Sequence, residues 1–184
     1  MKTLVCFGDS ITADEQSPDG SLRLTPRLRK ELIGWNVINA GVPAETTRAA
    51  IKRLQSDVLD QEPHCVTILF GANDASDHRL VPLEEYGEHL AFMIEKIGPE
   101  KVVLISPAPV DERQQNARSN ERMEKYRNKS AELARSYGTG FLDLWSIMNN
   151  TSYKELLEED GLHFNEKAYV LFSNELLKIL KQWQ

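Results

Sequence analysis

The chain has 184 residues, 41% hydrophobic and 27% charged, values ordinary for a single soluble domain spanning 1–184 around one sizeable core. A formal net charge of −6 with no dense Lys/Arg run argues against nucleic acid as a partner, and no apolar stretch approaches the roughly 20 residues of a membrane helix. The opening is too short for a signal-peptide core, so the expectation is a cytoplasmic protein that does not insert into membranes.

Continuous apolar runs bounded by turn residues read as strands buried on both faces of a parallel sheet. Five occur, at Thr3 to Phe7, Asn36 to Ala40, Cys65 to Phe70, Lys101 to Ser106 and Gly140 to Leu144. Cys6 and Cys65 lie inside two of them without CxxC spacing, which suits buried thiols better than a metal site or a disulfide. Between the runs lie amphipathic stretches. Arg27, Arg29 and Lys30 read as a solvated helix face, and Leu83, Tyr86, Leu90, Met93 and Ile97 follow one helix stripe that Gly98-Pro99 stops. A further helix built on Met123, Tyr126, Ala131 and Leu133 ends at Gly138, and Asn165 is placed to cap a last helix running through Leu180. This alternation predicts an α/β fold, a three-layer α/β/α sandwich around a five-stranded parallel sheet.

Parallel strands end on one edge of the sheet, where ligands bind near the switch point of strand order. In the flavodoxin-like order 2-1-3-4-5, the ends of the first three strands are neighbours. Those ends read Gly8-Asp9-Ser10, Gly41 and Gly71-Ala72-Asn73-Asp74. Ser10 can supply a hydroxyl nucleophile. The N–H groups of Ser10 and Gly41 and the Asn73 side-chain amide can form an oxyanion hole. A glycine at 41 lets its N–H approach a reacting carbonyl closely and tolerates positive φ.

Such a hydroxyl needs a base. His64 precedes the third strand, on the opposite edge, and His89 lies within a helix, which leaves His78 and His163. His78 follows the third strand beside Asp74 and Asp77. His163 follows Asp160 by three residues, a spacing that lets the carboxylate reach Nδ1 around a short turn and leaves Nε2 for a serine. Asp9 and Asp74 read as supporting residues that hold their loops. Asp143 has the same reading at the end of the fifth strand, Thr12 reads as a cap of the next helix, and Asp14 and Glu15 read as rim residues.

Taken together, FGDSIT at 7–12, NAGVPAETT from Asn39, GANDAS from Gly71 and DGLHFNEKAY from Asp160 resemble the four blocks of the SGNH hydrolase superfamily, the GDSL-type lipase/acylhydrolases. The resemblance covers nearly the whole chain. It implies the flavodoxin-like sandwich, Ser10 as nucleophile and first oxyanion donor, Gly41 and Asn73 as further donors, and Asp160 with His163 completing the triad. It thereby selects His163 over His78. It implies a carboxylic ester hydrolase, acting through an acyl-enzyme, that needs no cofactor and no metal.

The chain departs from the family at Ile11, which stands in for a leucine, at Asp14-Glu15-Gln16 and at Ala44-Glu45, where glycines are common; these changes bear on the shape and charge of the rim. Two other readings exist: a Mg²⁺-dependent phosphoryl-transfer site at Asp9, which lacks a DxD partner motif and a phosphate loop, and a non-catalytic binding module, which would not need all of Ser10, Asn73, Asp160 and His163. Short strand-end loops leave little material for a lid, so the expected substrate is a small-molecule ester with a short acyl group, an O-acetylated sugar or an acyl thioester being alternatives. The polar stretch Pro109 to Arg122 reads either as a solvated loop or as a determinant of substrate choice. Trp35, Trp145 and Trp183 are candidate apolar contacts between copies.

Overall fold

Successive side chains of a strand point to opposite faces of its sheet, and in the computed structural model, which describes residues 1–183, both faces are covered. Leu4 and Cys6 of β1 (Lys2–Gly8) face one half of the core with Cys65, Leu69, Val103 and Ile105, whereas Val5 and Phe7 face the other with Val66, Ile68, Val102 and Leu104. β1 lies between β2 (Trp35–Gly41) and β3 (Cys65–Leu69), followed outward by β4 (Val102–Ile105) and β5 (Gly140–Leu142). Every pairing is parallel and the order is 2-1-3-4-5, as the strand pattern and the family resemblance together predict.

Three helices contribute to the half-core of Leu4 and Cys6: α1 (Leu24–Glu31), α5 (Leu144–Asn149) and α6 (Glu166–Leu180). The opposite half belongs to α2 (Thr47–Asp57), α3 (Leu83–Ile97) and α4 (Asn120–Tyr137). The predicted stripe on α3 is buried from Tyr86 to Ile97, and Gly98 ends the helix at φ 100°. Asn165 caps α6 by accepting from the Ala168 N–H at 3.2 Å, and Gly138 closes α4 in the left-handed region at φ 70°. Both cysteines are buried free thiols, and burial pushes each up to about 12.

The structure departs from expectation in three places. β5 stops at Leu142 because the Asp143 carboxylate accepts from the Ser146 N–H and starts α5, a helix the sequence pattern did not suggest. Thr12 caps no helix: the Thr12 and Ala13 N–H groups both turn back onto the Asp9 carbonyl at 3.1 and 2.9 Å, and α1 begins only at Leu24. Trp35 and Trp145 are half-buried against the two halves of the core, so neither is a free apolar contact; the Trp183 side chain lies outside the described residues.

Gly41 matters to this packing for a steric reason. A Cβ there would lie 2.3 Å from the Ala13 nitrogen and 2.6 Å from its Cα, so the turn after β1 closes onto the end of β2 only because residue 41 has no side chain. Gly41→Ala is expected to lower the free energy of unfolding by about 1–3 kcal/mol, measured by urea denaturation, since the clash is with backbone that cannot rotate away.

Candidate active site

The ends of β1, β2 and β3 are aligned by register, with Gly8 opposite both Gly41 and Leu69. Beyond Gly8 the chain turns sharply, and the turn is braced from below. The Asp9 carboxylate accepts from the Ile11 N–H at 2.9 Å, the Arg23 guanidinium donates to the Ser10 carbonyl, and the Tyr169 hydroxyl of α6 donates to the Ile11 carbonyl at 2.9 Å. Arg23 also donates to Tyr169, so both braces belong to one buried unit.

This turn presents the Ser10 hydroxyl 3.0 Å from His163 Nε2. On the far side of the ring, Nδ1 lies 2.5 Å from Asp160 Oδ2, while Asp160 Oδ1 accepts from the Leu162 and His163 N–H groups, each at 2.9 Å. One carboxylate thus builds the turn and orients the ring. An acceptor at Nδ1 fixes the proton there and leaves Nε2 to accept from Ser10. Partial burial pushes the Asp160 carboxyl up, but the bonds from the His163 side chain and backbone outweigh it and hold the group below its ordinary value. The other histidines lie elsewhere. His64 Nδ1 accepts from the Thr3 N–H at 3.1 Å, His89 meets Thr47 on α2, and His78 is exposed.

Asn73 is 5% exposed, and three groups fix its amide. Nδ2 donates to the Glu45 carbonyl at 3.0 Å and to Asp9 Oδ2 at 3.3 Å, and Oδ1 accepts from Arg118 Nη2 at 3.0 Å. Burial, with the neighbouring Asp74 adding to it, raises the Asp9 carboxyl to about 7 against the bond from the Ile11 N–H. Asp74 is likewise raised by burial, and its Oδ1 accepts from both the N–H and the hydroxyl of Thr47.

Gly41 requires a correction. It stands where the sequence places it, but its N–H donates to Asn39 Oδ1 at 3.0 Å and its φ is not positive, so the residue is a steric necessity and its donor is already engaged. In the turn after β2 it is Ala44 that lies in the left-handed region, at φ 62°, and among the described residues its N–H meets no protein acceptor.

Residues 6–171 match the model of the GDSL-like lipase/acylhydrolase family. The chain belongs to that family. This acylhydrolase is similar to the isoamyl acetate-hydrolyzing esterase 1 homolog of Homo sapiens, 30% identical over 97% of this chain and 81% of the relative. It is also similar to the isoamyl acetate-hydrolyzing esterase of Saccharomyces cerevisiae, 29% identical over 95% and 84%. The crystal structure of the lipase/acylhydrolase from Enterococcus faecalis superposes with a TM-score of 0.93 at 34% identity, covering 99% of this chain and 96% of that one. The acylhydrolase is an ester-hydrolysing serine hydrolase.

Two recesses adjoin the edge that carries Ser10 and His163. An apolar slot of about 10 Å³ is lined by Leu144 of α5 and by Ile11, Ala72, Leu162 and Phe164, four residues that flank Ser10, Asn73 and His163 in sequence, among others. A wider cleft of about 700 Å³ runs beside His163 between Asp14, Gln16 and Asp19 on one wall and Glu158, Glu159 and Asp160 on the other. Asp14 is therefore a rim residue as expected, whereas Glu15 turns away to pair with Arg29 and Thr25 of α1. Glu45 is buried against Arg53. Sequence reasoning missed Arg23, Tyr169 and Arg118. Arg118 lies in the stretch from Pro109 to Arg122, which reads equally well as solvated or functional, and neither Arg23 nor Tyr169 belongs to a motif that marks it. Among the described residues no helix is long and apolar enough to cross a membrane.

Because burial raises the Asp9 pKa above its ordinary value near 3.8, the stability that this group contributes is full at low pH and is lost as pH rises through about 7. The unfolding free energy of the wild type minus that of Asp9→Asn should therefore fall between pH 4 and 7, with a slope no steeper than about 1.4 kcal/mol per unit. Urea titrations at several pH values measure it; a flat difference would contradict the buried carboxyl's role.

Proposed function

We propose that the acylhydrolase cleaves esters of short acyl groups through an acyl-enzyme on Ser10. The observation that carries this reading is the chain of contacts from the Ser10 hydroxyl through His163 to Asp160. His163 Nε2 takes the hydroxyl proton as Ser10 Oγ attacks the carbonyl carbon, and the imidazolium so formed is stabilised by Asp160. Collapse of the tetrahedral intermediate expels the alcohol, which takes the proton from His163. Water, deprotonated by the same nitrogen, then releases the acid and restores the serine.

The oxyanion forms against the Ser10 N–H and Asn73 Nδ2. Among the described residues the Ser10 N–H has no protein acceptor, which suits a waiting donor. The longer of the two Asn73 bonds, to Asp9, is the one an oxyanion replaces, and a protonated Asp9 releases that hydrogen at less cost than a carboxylate. The third donor is assigned to the Ala44 N–H in place of Gly41, because Ala44 is unengaged and adjoins Glu45, whose carbonyl holds Asn73.

The apolar slot is assigned to the acyl group and the wider cleft to the alcohol. A volume of about 10 Å³ admits a group of water or methyl size, which suits acetate esters such as those named for the human and yeast relatives. The polar walls of the cleft favour, as a second reading, acetylated polyhydroxylated alcohols. A reducing compartment such as the cytoplasm fits the two unbridged thiols.

Two measurements test the assignment. A fluorophosphonate should give one adduct, mapped by mass spectrometry to Ser10, absent in Ser10→Ala and strongly slowed in His163→Ala; an adduct elsewhere, or none, would overturn the nucleophile. Among acetyl, butyryl and octanoyl esters, kcat/KM should decrease with chain length, and a preference for octanoyl over acetyl above about tenfold, near 1.4 kcal/mol, would overturn the acyl slot.

A further inference from the structure

The loop joining β4 to α4 lines the acyl slot with Pro107, Ala108 and Pro109, and its later part is bonded to both halves of the site. Arg118 is its centre. Nε donates to the Ala72 carbonyl at 2.6 Å, Nη2 to Asn73 Oδ1 at 3.0 Å, and Nη1 to Gln115 Oε1 at 2.8 Å. Gln115 passes the connection on, its Nε2 donating to the Asp160 carbonyl at 2.7 Å. Beside it the Asp111 N–H donates to the Gly161 carbonyl at 2.9 Å, and Gly161 is in the left-handed region with no room for a Cβ against Asp111 and Gln114. One run of hydrogen bonds therefore joins the residue assigned to the oxyanion with the turn that carries the acid and base.

We propose that Arg118 is a positioning residue for catalysis, setting the Asn73 amide with Nδ2 toward the oxyanion and tying it through Gln115 to the Asp160–His163 turn. This inference rests on the reading of Asn73 as an oxyanion donor. An asparagine amide has two orientations of nearly equal shape, and only its neighbours choose between them. A guanidinium has donors alone, so it can face only Oδ1; the Glu45 carbonyl accepts alone, so it can face only Nδ2. The bond to Oδ1 is charge-assisted, and it draws electron density through the amide toward the guanidinium, which makes the Nδ2 hydrogens better donors as negative charge develops on the substrate. Lysine cannot reproduce the role, because three acceptors at three angles need the planar fork. The carboxylates of Asp9 and Asp160 both lie in the field of the half-buried guanidinium, opposed by Arg79.

The test compares Arg118→Met, Arg118→Lys, Asn73→Ala and the Arg118→Met/Asn73→Ala double variant with p-nitrophenyl acetate as substrate. Asn73→Ala should lower kcat by about 100- to 1,000-fold, the usual cost of a lost oxyanion donor. Arg118→Met should lower kcat by roughly 10- to 100-fold with KM nearly unchanged, as expected for an interaction made in the transition state. Arg118→Lys should recover little of it, free guanidinium ion should restore part of the Arg118→Met activity, and the double variant should fall within about twofold of Asn73→Ala alone. Rescue and non-additivity are what a merely structural arginine would not give, and Arg118→Gln is read in the same way if Arg118→Met does not fold. An Arg118→Met enzyme with full kcat beside an impaired Asn73→Ala, or losses that multiply in the double variant, would overturn the proposal. An Asn73→Ala enzyme of normal kcat would instead overturn the oxyanion assignment on which it rests.

Discussion

The hydrogen bond between Ser10 Oγ and His163 Nε2 joins residues 153 positions apart, and much of the architecture serves to hold its two ends in register. The serine end is fixed by β1, paired on both sides, and by the turn that Asp9 folds back over. The histidine end is fixed by α6, whose cap, Asn165, follows His163 by two residues. A second contact between the same two segments makes the docking rigid. Tyr169, on the first turns of α6, reaches the Ile11 carbonyl, and Arg23 joins that hydroxyl to the carbonyl of Ser10 itself. Two points of attachment define an orientation where one would define only a distance, and catalysis is sensitive to both.

The side of the site around Asn73 is built on a costlier principle. Asp9 and Asp74 are nearly inaccessible to water, each held by a backbone N–H, while Glu45 is buried against the half-buried Arg53 and Asp74 Oδ2 is left without a partner among the described residues. Arg53 also donates to the Gly8 and Ala40 carbonyls and lies over the Phe7 ring, so one cation closes the seam between β1 and β2 beneath the site. Buried polar groups of this kind raise the cost of every alternative packing, which favours one conformation over many. On the proposed reading, the preorganised donors that a developing oxyanion requires are a product of that restriction.

Much of this was legible in the sequence for identifiable reasons. Strands buried on both faces leave uninterrupted apolar runs, so all five could be placed, and the residues just after them, Ser10 and Asn73, could be assigned to one edge. Asp160 and His163 were legible because their contact is local, three residues around a turn. The failures share the opposite cause. The engagement of the Gly41 N–H by Asn39 depends on backbone direction, which residue type does not record. Arg23, Tyr169 and Arg118 act over separations of 45 residues or more in their decisive contacts with Asn73 and Ile11, or through a local carbonyl reached from a buried position. An arginine in a polar loop gives no sign of which carbonyls it will find. The loop from Pro109 to Arg122, which read equally well as solvated or functional, turns out to be bonded to both sides of the site.

Because Ser10 lies just after β1 and His163 on the segment leading into α6, the order of synthesis separates the two ends of this contact in time. β1 leaves the ribosome before β2 and β3, which flank it only when both have followed, and the half-core behind Leu4 and Cys6 stays open until Phe172, Leu176 and Leu180 of α6 arrive. On the proposed reading, the contact between Ser10 and His163 that activates the serine forms only once α6 has docked and Tyr169 has reached Ile11, so hydrolytic activity arrives with the last helix.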